Sequence, residues 1–197
     1  VDQVSMMQAV SKKVFEVQQI NEISEVLSDA FSTAMSPRTG PVHVDLPRDV
    51  LGKNAKFKIP NKYQTSPLPN ALDTSLKQAF ELLRDATKPV ILAGGGVKNN
   101  GDEATKHLLA LAEIINAPCA TSPGHGDLIP FNHPLNAGSA GPRGSGIGTQ
   151  LLKEADVILV LGSRLGFNTT FYSYENINKN AAIIHCELDE NSIGRYF

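Results

Sequence analysis

Three consecutive glycines, residues 94–96, follow the apolar run 89–93 and precede an amphipathic segment. A buried parallel strand that turns into a helix has this pattern. Glycine lets the backbone approach a ligand closely, and the amino end of the following helix favours anions, so this turn could hold a nucleotide or another phosphate-bearing ligand. The run lacks the complete dinucleotide fingerprint, and a tight strand-to-helix turn without a ligand explains it equally well.

Histidine and cysteine are the other side chains to weigh for chemistry. His125 and His133 lie near Asp127, but their separation within a loop rich in proline and glycine fits no compact ligand spacing, so no metal site is predicted. Cys119 and Cys186 both lie within apolar runs, which predicts buried free thiols rather than a disulfide or a metal pair. Free thiols favour a reducing compartment, and a cytoplasmic location is expected.

Composition narrows the class of protein. The chain has 197 residues, of which 41% are hydrophobic and 19% charged, as in a globular protein with one large or two small domains. Its formal net charge of -2, with scattered Lys and Arg, argues against a surface for nucleic acid or anionic membranes. No apolar stretch approaches the roughly 18 residues that a membrane span needs. No binding partner follows from the charge itself.

The elements that must position these residues alternate between helical and strand patterns. Apolar residues at helical spacing predict a helix over residues 23–34, and a strand follows at 42–46. A segment rich in Lys, Asn, Pro, Ser and Thr, residues 53–69, predicts a linker. Further helices are predicted near 72–83, 104–115 and 145–155, strands near 90–93, 118–121, 157–161 and 182–186, and a long loop at 122–144.

This alternation predicts an α/β fold. Four strands joined by helices form a doubly wound parallel sheet, a Rossmann-like domain over residues 70–197, with helices on both faces. Residues 1–52 are expected to be the terminal α-β unit of another α/β domain. Ligands of such sheets bind at the carboxyl ends of the strands, where every candidate site residue lies.

Four segments carry a family resemblance. They are 36–50 (Ser-Pro-Arg-Thr-Gly-Pro-Val-His-Val-Asp-Leu-Pro-Arg-Asp-Val), 89–96 (Pro-Val-Ile-Leu-Ala-Gly-Gly-Gly), 155–164 (Ala-Asp-Val-Ile-Leu-Val-Leu-Gly-Ser-Arg) and 184–189 (Ile-His-Cys-Glu-Leu-Asp). In this order and spacing they resemble thiamin-diphosphate-dependent enzymes of the acetohydroxyacid synthase (acetolactate synthase) type. The first segment is the most specific. The glycine triplet and Gly-Ser-Arg also occur in enzymes of the sulfoacetaldehyde acetyltransferase and oxalyl-CoA decarboxylase types.

The resemblance implies a fragment of a three-domain transferase subunit. Residues 1–52 would end the pyrimidine-binding, N-terminal domain, residues 53–69 would be the linker, and residues 70–197 would be most of the central domain, truncated at its C-terminus. The family condenses a hydroxyethyl group derived from pyruvate with a second 2-oxo acid. Its motifs for thiamin diphosphate and Mg2+ would lie outside this chain, so the fragment alone should be inactive. The intact protein should be a homodimer or homotetramer.

The resemblance also assigns site residues. No catalytic residue is expected in this chain, although Lys12 matches a lysine along the substrate approach. The central domain of the family carries FAD, and Asn168 and Arg143 depart from its flavin pattern, so ADP is as acceptable a ligand. The cofactor-binding residues carried over are Gly94, Gly95 and Gly96 by the nucleotide, Thr121, Ser122, Gly141, Pro142 and Arg143 on the flavin side, Arg164 for a phosphate and Glu187 for ribose hydroxyls.

Two alternatives stay open at this point. A thiamin-dependent acetyltransferase or oxalyl-CoA-type decarboxylase would use the same domain for an adenine nucleotide, and the missing arginine at Asn168 favours it. A non-catalytic nucleotide-binding module would keep the sheet without any catalytic half.

Overall fold

A computed structural model describes residues 1–56, Tyr63 and residues 70–197. The chain divides into two compact units, Val1–Pro69 and Asn70–Phe197, and each is described by itself. Most of the predicted linker, residues 53–69, lies outside the described residues and stays a prediction. None of the helices in the described part of the chain is long and apolar enough to cross a membrane.

The first unit is built on two short parallel strands. Helix α1 (Gln3–Gln8) leads to β1 (Lys13–Glu16), and helix α2 (Ile23–Met35) leads to β2 (Val42–Asp45) and α3 (Arg48–Leu51). The β1 and β2 strands pair in parallel, with Lys13 opposite Val42. Pro37 and Pro41 flank the turn between α2 and β2, because proline cannot continue a helix or donate to the middle of a ladder.

The second unit is a five-stranded parallel sheet in the order β5-β4-β3-β6-β7. Its strands are β3 (Pro89–Ala93), β4 (Cys119–Thr121), β5 (Asn136–Ser139), β6 (Val157–Leu161) and β7 (Ala182–Cys186). Its helices are α4 (Asp73–Asp85), α5 (Gly95–Asn99), α6 (Gly101–Ile114), α7 (Gly146–Glu154) and α8 (Phe167–Thr170). The chain winds outward in one direction from β3 to β5 and in the other from β6 to β7, so the switch point lies between β3 and β6.

Apolar side chains cover both faces of this sheet. Val90 and Leu92 belong to one core cluster, together with Leu152 of α7. Ile91, the residue between them, belongs to the other cluster, together with Leu108 of α6. Successive side chains of a strand point to opposite faces, so the all-apolar run of β3 requires helices on both sides. The predicted doubly wound α/β fold is confirmed.

The predicted count of four strands is wrong. The segment predicted as a loop, residues 122–144, contains β5, which pairs with β4 through an irregular register. Its sequence, Asn-Ala-Gly-Ser, has no alternation of apolar and polar residues, and β5 lies at the edge of the sheet. A strand of this kind is formed through its neighbour and not through its own propensity.

Asp156 fixes the entry into the central strand. Its carboxylate accepts from the backbone N–H of Thr87 at 2.6 Å, from the Thr87 hydroxyl at 2.6 Å and from the N–H of Lys88 at 2.9 Å. Burial raises the pKa of Asp156, but these hydrogen bonds outweigh burial and lower the pKa overall. The carboxylate therefore joins the start of β6 to the start of β3.

Candidate functional site

The glycine turn after β3 packs against the turn after β6 at the switch point. The N–H of Gly94 donates to the Leu161 carbonyl at 2.9 Å, and that of Gly96 donates to the Gly162 carbonyl at 2.9 Å. A Cβ on Gly94 would lie 2.5 Å from the Gly162 oxygen, and one on Gly96 would lie 2.6 Å from the Gly162 Cα. Contact between two backbones therefore explains why both positions are glycine. The prediction that they touch a nucleotide stays a prediction.

Gly95 meets the imidazole of His125. A Cβ at this position would lie 3.0 Å from both Cε1 and Nε2 of the ring. The buried Nδ1 of His125 and the hydroxyl of Thr121, a residue only 1% exposed, have no hydrogen-bond partner among the described residues. Buried polar atoms in proteins are nearly always satisfied. The loop after β4 thus has hydrogen-bonding capacity for water or a ligand beside the glycine turn.

Ser122 and Ser163 join the turns after three adjacent strands. The N–H of Ser122 donates to the Ala93 carbonyl at 2.8 Å, and its hydroxyl lies 2.7 Å from the Ser163 hydroxyl. Nε2 of His185, from β7, lies 2.8 Å from the Ser163 carbonyl and must carry the proton, because a carbonyl only accepts. Sequence reasoning assigned no role to Ser163 or His185, although both occur in segments that carry the family resemblance.

The predicted loop 141–143 contacts the loop after β6. Gly141 has a φ of +99°, and a Cβ there would collide with the Asn168 carbonyl. The Thr149 hydroxyl lies 3.1 Å from the N–H of Gly141 and 3.0 Å from its carbonyl. Gly141 is buried, whereas Pro142 and Arg143 are both exposed. Asn168, which departs from the flavin pattern, therefore meets Gly141 through its backbone, and its identity does not affect that contact.

Aromatic side chains and two arginines cluster beyond β6 and β7. The Phe167 ring stacks on Phe171 at 4.6 Å, and the Tyr172 ring lies 4.2 Å from that of Tyr196. The Arg195 guanidinium lies over Tyr196, 5.2 Å from the ring centroid. A hydrogen bond with Tyr172 raises the pKa of Tyr196, whereas the charges of Arg195 and Arg164 act to lower it. Arg164 is exposed and directly follows Ser163 of the switch point in the chain.

Glu187 and the cysteines lie at or near the ends of strands. Glu187 directly follows β7, and its Oε1 accepts from the N–H of Leu188 at 2.9 Å. Cys119 is buried in β4, and burial raises the pKa of its thiol to about 12. Cys186 is exposed, so the prediction that both thiols are buried is wrong. Strand β7 is a sheet edge, which leaves its last side chain accessible despite the apolar run around it.

Lys12 belongs to the first unit and has a structural role there. Its Nζ donates to the Thr33 carbonyl at 2.8 Å, to the Ser36 carbonyl at 3.2 Å and to the Ser36 hydroxyl at 2.7 Å. These acceptors lie at the carboxyl end of α2, where a cation is favoured by the helix dipole. The prediction that Lys12 lines a substrate approach stays a prediction.

Acidic and histidine side chains do not gather into a metal site. Within the ranges 1–56 and 70–197, no three His, Cys, Asp or Glu residues come close enough together to hold an ion. A shallow groove of about 650 Å3 lies at the amino ends of β6 and β7, lined in part by Glu81 and Asp85. This groove lies at the opposite ends of the strands from the predicted ligand residues, which follow the carboxyl ends.

Comparison with known proteins agrees with this architecture. The family described as thiamine pyrophosphate enzyme, central domain, matches residues 76–197. A probable acetolactate synthase large subunit from Methanococcus aeolicus is 35% identical over 99% of this chain and 33% of its own length. The isozyme 1 large subunit of acetolactate synthase from Escherichia coli is 33% identical over 94% of this chain and 32% of its own length. A sulfoacetaldehyde acetyltransferase from Alcaligenes xylosoxydans is 35% identical over 98% of this chain and 32% of its own length.

The chain spans about a third of the length of these curated relatives. The matches extend over both units, because each covers nearly all of the chain. Acetolactate synthases and a sulfoacetaldehyde acetyltransferase occur among these relatives at similar identity, so the similarity alone does not separate the two activities.

Proposed function

We propose that this chain is part of a carboligase of the acetolactate synthase type. The chain belongs to the thiamine pyrophosphate enzymes and carries their central domain in residues 76–197. The intact enzyme would condense a hydroxyethyl group from pyruvate with a second 2-oxo acid. It would work in the cytoplasm as a homodimer or homotetramer. Nucleic acid and membranes are not partners in this proposal.

One observation carries the proposal: the similarity to an acetolactate synthase large subunit includes the first unit as well as the central domain. The Methanococcus aeolicus relative covers 99% of this chain at 35% identity, whereas the family match covers only residues 76–197. A central domain alone would be compatible with any branch of the family. The additional match over the first unit supports an enzyme in which the two units occur in the same order, an order that the sulfoacetaldehyde acetyltransferase relative, which matches 98% of this chain, shares.

We further propose that thiamin diphosphate and Mg2+ bind outside this chain. Mg2+ needs oxygen ligands, usually carboxylates, in a near-octahedral arrangement. No three acidic or histidine side chains gather in the described ranges of this chain. The role of the chain would then be to position a nucleotide and to support the catalytic domains, and the 197-residue chain alone would not turn over substrate.

The nucleotide of this proposal is FAD or ADP at the carboxyl ends of the strands. Arg164 is an exposed fork that suits a phosphate. The Thr121 hydroxyl and His125 Nδ1, which have no partner in the part of the chain that the structure describes, offer hydrogen bonds beside the glycine turn. These features fit an adenosine diphosphate group. Because the His125 ring covers Gly95, a nucleotide that touched Gly95 would have to turn this imidazole aside. Glu187 would approach the ribose through the carboxylate oxygen that does not accept from Leu188.

A second candidate is an acetyltransferase that acts on sulfoacetaldehyde. The sulfoacetaldehyde acetyltransferase from Alcaligenes xylosoxydans is 35% identical over 98% of this chain, the same identity as that of the Methanococcus aeolicus acetolactate synthase. An oxalyl-CoA-type decarboxylase and a non-catalytic nucleotide-binding module are the remaining alternatives.

The test is the activity of the intact protein that contains this chain. It is purified with thiamin diphosphate and Mg2+, supplied with pyruvate, and assayed for acetolactate; a parallel reaction contains sulfoacetaldehyde as the substrate. Acetolactate that depends on added thiamin diphosphate is the expected result. Consumption of sulfoacetaldehyde without acetolactate would transfer the assignment to the acetyltransferase. Turnover of neither substrate would reject both and favour the decarboxylase or the module.

A further inference from the structure

We propose that the aromatic cluster beyond β6 is the base-binding subsite of the nucleotide site. The aromatic platform is defined as Phe167, Phe171, Tyr172 and Tyr196. We infer that the platform stacks the base, while Arg164 and Arg195 hold the phosphates of the same nucleotide. This inference rests on the proposed function, because it names where a nucleotide of the central domain places its base.

The platform is partly exposed to solvent. Phe167 is 51% exposed and Tyr172 is 49% exposed, although both rings lie against other rings. The Phe167 centroid is 4.6 Å from that of Phe171 and 5.8 Å from that of Tyr172. Large half-exposed aromatic side chains that are gathered in one place mark an interaction site more often than scattered ones do. A flat ring could add to this stack without displacing any core residue.

The backbone holds the platform in a defined conformation. Phe171 and Tyr172 have φ angles of 51° and 53°, in a backbone region that residues other than glycine rarely adopt. The Thr170 hydroxyl donates to the Leu165 carbonyl at 3.0 Å and accepts from the N–H of Tyr172 at 3.1 Å, and the Asn176 amide donates to the Thr170 carbonyl at 3.0 Å. Strained conformations persist where the surroundings enforce them. The rings are thus positioned before a ligand arrives.

The positive charges around the platform favour an aromatic ligand that carries phosphate groups over an uncharged aromatic ligand. The Arg195 guanidinium lies 5.2 Å from the Tyr196 ring, and the charge of Arg164 acts on the same phenol. Arginine suits phosphate groups because its planar fork donates two parallel hydrogen bonds. Every nucleic-acid base has a flat π-face that can stack on an aromatic side chain. Rings and cations together match a nucleotide.

The position of the platform agrees with this occupant. The glycine turn touches Ser163, Arg164 is the next residue, and its charge reaches Tyr196, which stacks on Tyr172. This path leads from the switch point of the sheet to the platform, all at the carboxyl edge where parallel sheets bind ligands. An acidic peptide or a second copy of the chain could also contact the arginines and the rings. Neither of these occupants requires the glycine turn, whereas a nucleotide would bind the glycine turn and the platform together.

The experiment is a titration of the full 197-residue chain with ADP, followed by calorimetry and by tyrosine fluorescence. The chain has no tryptophan and four tyrosines, and Tyr172 and Tyr196 belong to the platform. We expect ADP to quench tyrosine emission, and Tyr172→Leu to weaken ADP binding about tenfold. Tyr172→Phe, which keeps the ring, should retain it within about twofold. Inorganic diphosphate, which has no ring, should bind Tyr172→Leu and the unaltered chain equally.

Tyr174→Leu is the matched control. Tyr174 is 54% exposed and lies two positions from Tyr172, but its ring packs edge-on against Phe197 rather than in the platform. It should leave the ADP affinity unchanged. Arg195→Gln should weaken ADP and inorganic diphosphate together. FAD and coenzyme A are titrated in parallel, because both carry the adenosine diphosphate group and the tighter one identifies the source of the ring. Circular dichroism confirms that each variant is folded, and Phe167→Ala replaces Tyr172→Leu if the latter is not.

The outcomes separate the platform from the proposed function. If ADP binds Tyr172→Leu as tightly as the unaltered chain while Gly95→Val abolishes binding, the platform is wrong and the nucleotide site stands. If ADP, FAD and coenzyme A all fail to bind the unaltered chain, the platform and the nucleotide site are both rejected, whereas the carboligase assignment is decided separately by the acetolactate assay. If Tyr172→Leu instead abolishes a concentration-dependent dimer seen by sedimentation, the platform is a surface between copies of the chain, and the base-binding assignment is rejected.

Discussion

Replacing Gly96 by alanine tests whether the glycine triplet serves packing. A methyl group at this position would lie 2.6 Å from the Gly162 Cα and 3.2 Å from its carbonyl oxygen. Both atoms belong to backbone, which cannot rotate away as the end of a side chain can. The turn after β6 would have to move by roughly 1 Å to restore ordinary contact. That movement would stretch the hydrogen bond from Gly96 N–H to the Gly162 carbonyl, now 2.9 Å.

Opposing contributions set the size of the effect. Alanine is favoured over glycine within a helix by about 1 kcal/mol. Inserting a methyl group into a close-packed region costs about 1–3 kcal/mol, and a weakened backbone hydrogen bond costs about 0.5–1.5 kcal/mol. We expect Gly96→Ala to lower the free energy of unfolding of the second unit by about 2 kcal/mol. Helix propensity alone would make Gly96→Ala stabilising. The packing explanation and the helix-propensity explanation therefore predict opposite signs for the change in the free energy of unfolding.

The buried thiol of Cys119 offers a probe confined to the second unit. With Cys186 replaced by serine, Cys119 is the single remaining thiol, because the chain has two cysteines. Burial raises its pKa to about 12, so a thiol reagent modifies it only after the sheet opens. Since 1.4 kcal/mol corresponds to a factor of ten, Gly96→Ala should speed the modification of Cys119 about 30-fold in native buffer.

Two other glycines complete the series. Gly146 begins α7 and has no atom within 4 Å of where its Cβ would lie, so Gly146→Ala should leave the rate unchanged or lower it. Gly95→Ala should fall between the two, because the His125 ring at 3.0 Å is a side chain that can turn. Equal rates for Gly96→Ala and Gly146→Ala would show that the close approach of the two turns carries no energy, and the packing account would be abandoned.

Three further changes test other contacts. Lys12→Met should destabilise the first unit by about 1 kcal/mol through loss of the α2 cap, whereas Lys56→Met, at another exposed lysine, should not; a loss of activity without a loss of stability in the intact enzyme would instead support the substrate-approach role. Asp156→Asn should cost about 2 kcal/mol in urea unfolding, and Asp85→Asn, in an exposed pair, should show no measurable change. Because the folded pKa of Asp156 is lowered, its contribution is complete above the unfolded value near 3.9 and disappears as the pH falls through the folded pKa; a gap that persists in acid would contradict the ionic assignment. Ser163→Ala should cost about 1–2 kcal/mol, since it leaves the buried Ser122 hydroxyl without its partner; an unchanged unfolding midpoint would argue against the hydroxyl bridge.

The sequence was most informative for segments whose own hydrophobic pattern shows which of their faces are buried. The run 157–161, Val-Ile-Leu-Val-Leu, is apolar at every position, which is compatible only with burial on both faces, and β6 has these bounds. The periodicity of residues 23–34 likewise predicted α2, which extends over Ile23–Met35. Such segments predict the fold class, because the spacing of their apolar residues indicates whether one face or both faces are buried.

The details of the candidate site depend on partners that are distant in the chain. The triplet indicated a turn, but the reason for Gly96 is Gly162, and spacing alone cannot reveal that pairing. The run Phe-Tyr-Ser-Tyr at 171–174 lies in what looked like a polar loop, and only the fold brings Tyr172 onto Tyr196. The structural role of Lys12 could not be predicted from the sequence, because two of its three acceptors are backbone carbonyls, those of Thr33 and Ser36.

The central position of β3 has a consequence for biosynthesis. A ribosome releases β3 before either neighbour, and β6, with which all five residues of β3 are in register, follows only after α5, α6, β4, β5 and α7. Lys88, at the start of β3, meets its acceptor Asp156 across 68 positions of chain. During that interval the apolar run 89–93 lacks half of its ladder and remains open to other nascent strands. Parallel sheets with such distant pairings fold slowly and are exposed to aggregation. The strand that anchors the finished sheet is thus the segment that most needs chaperone protection while the chain is being made.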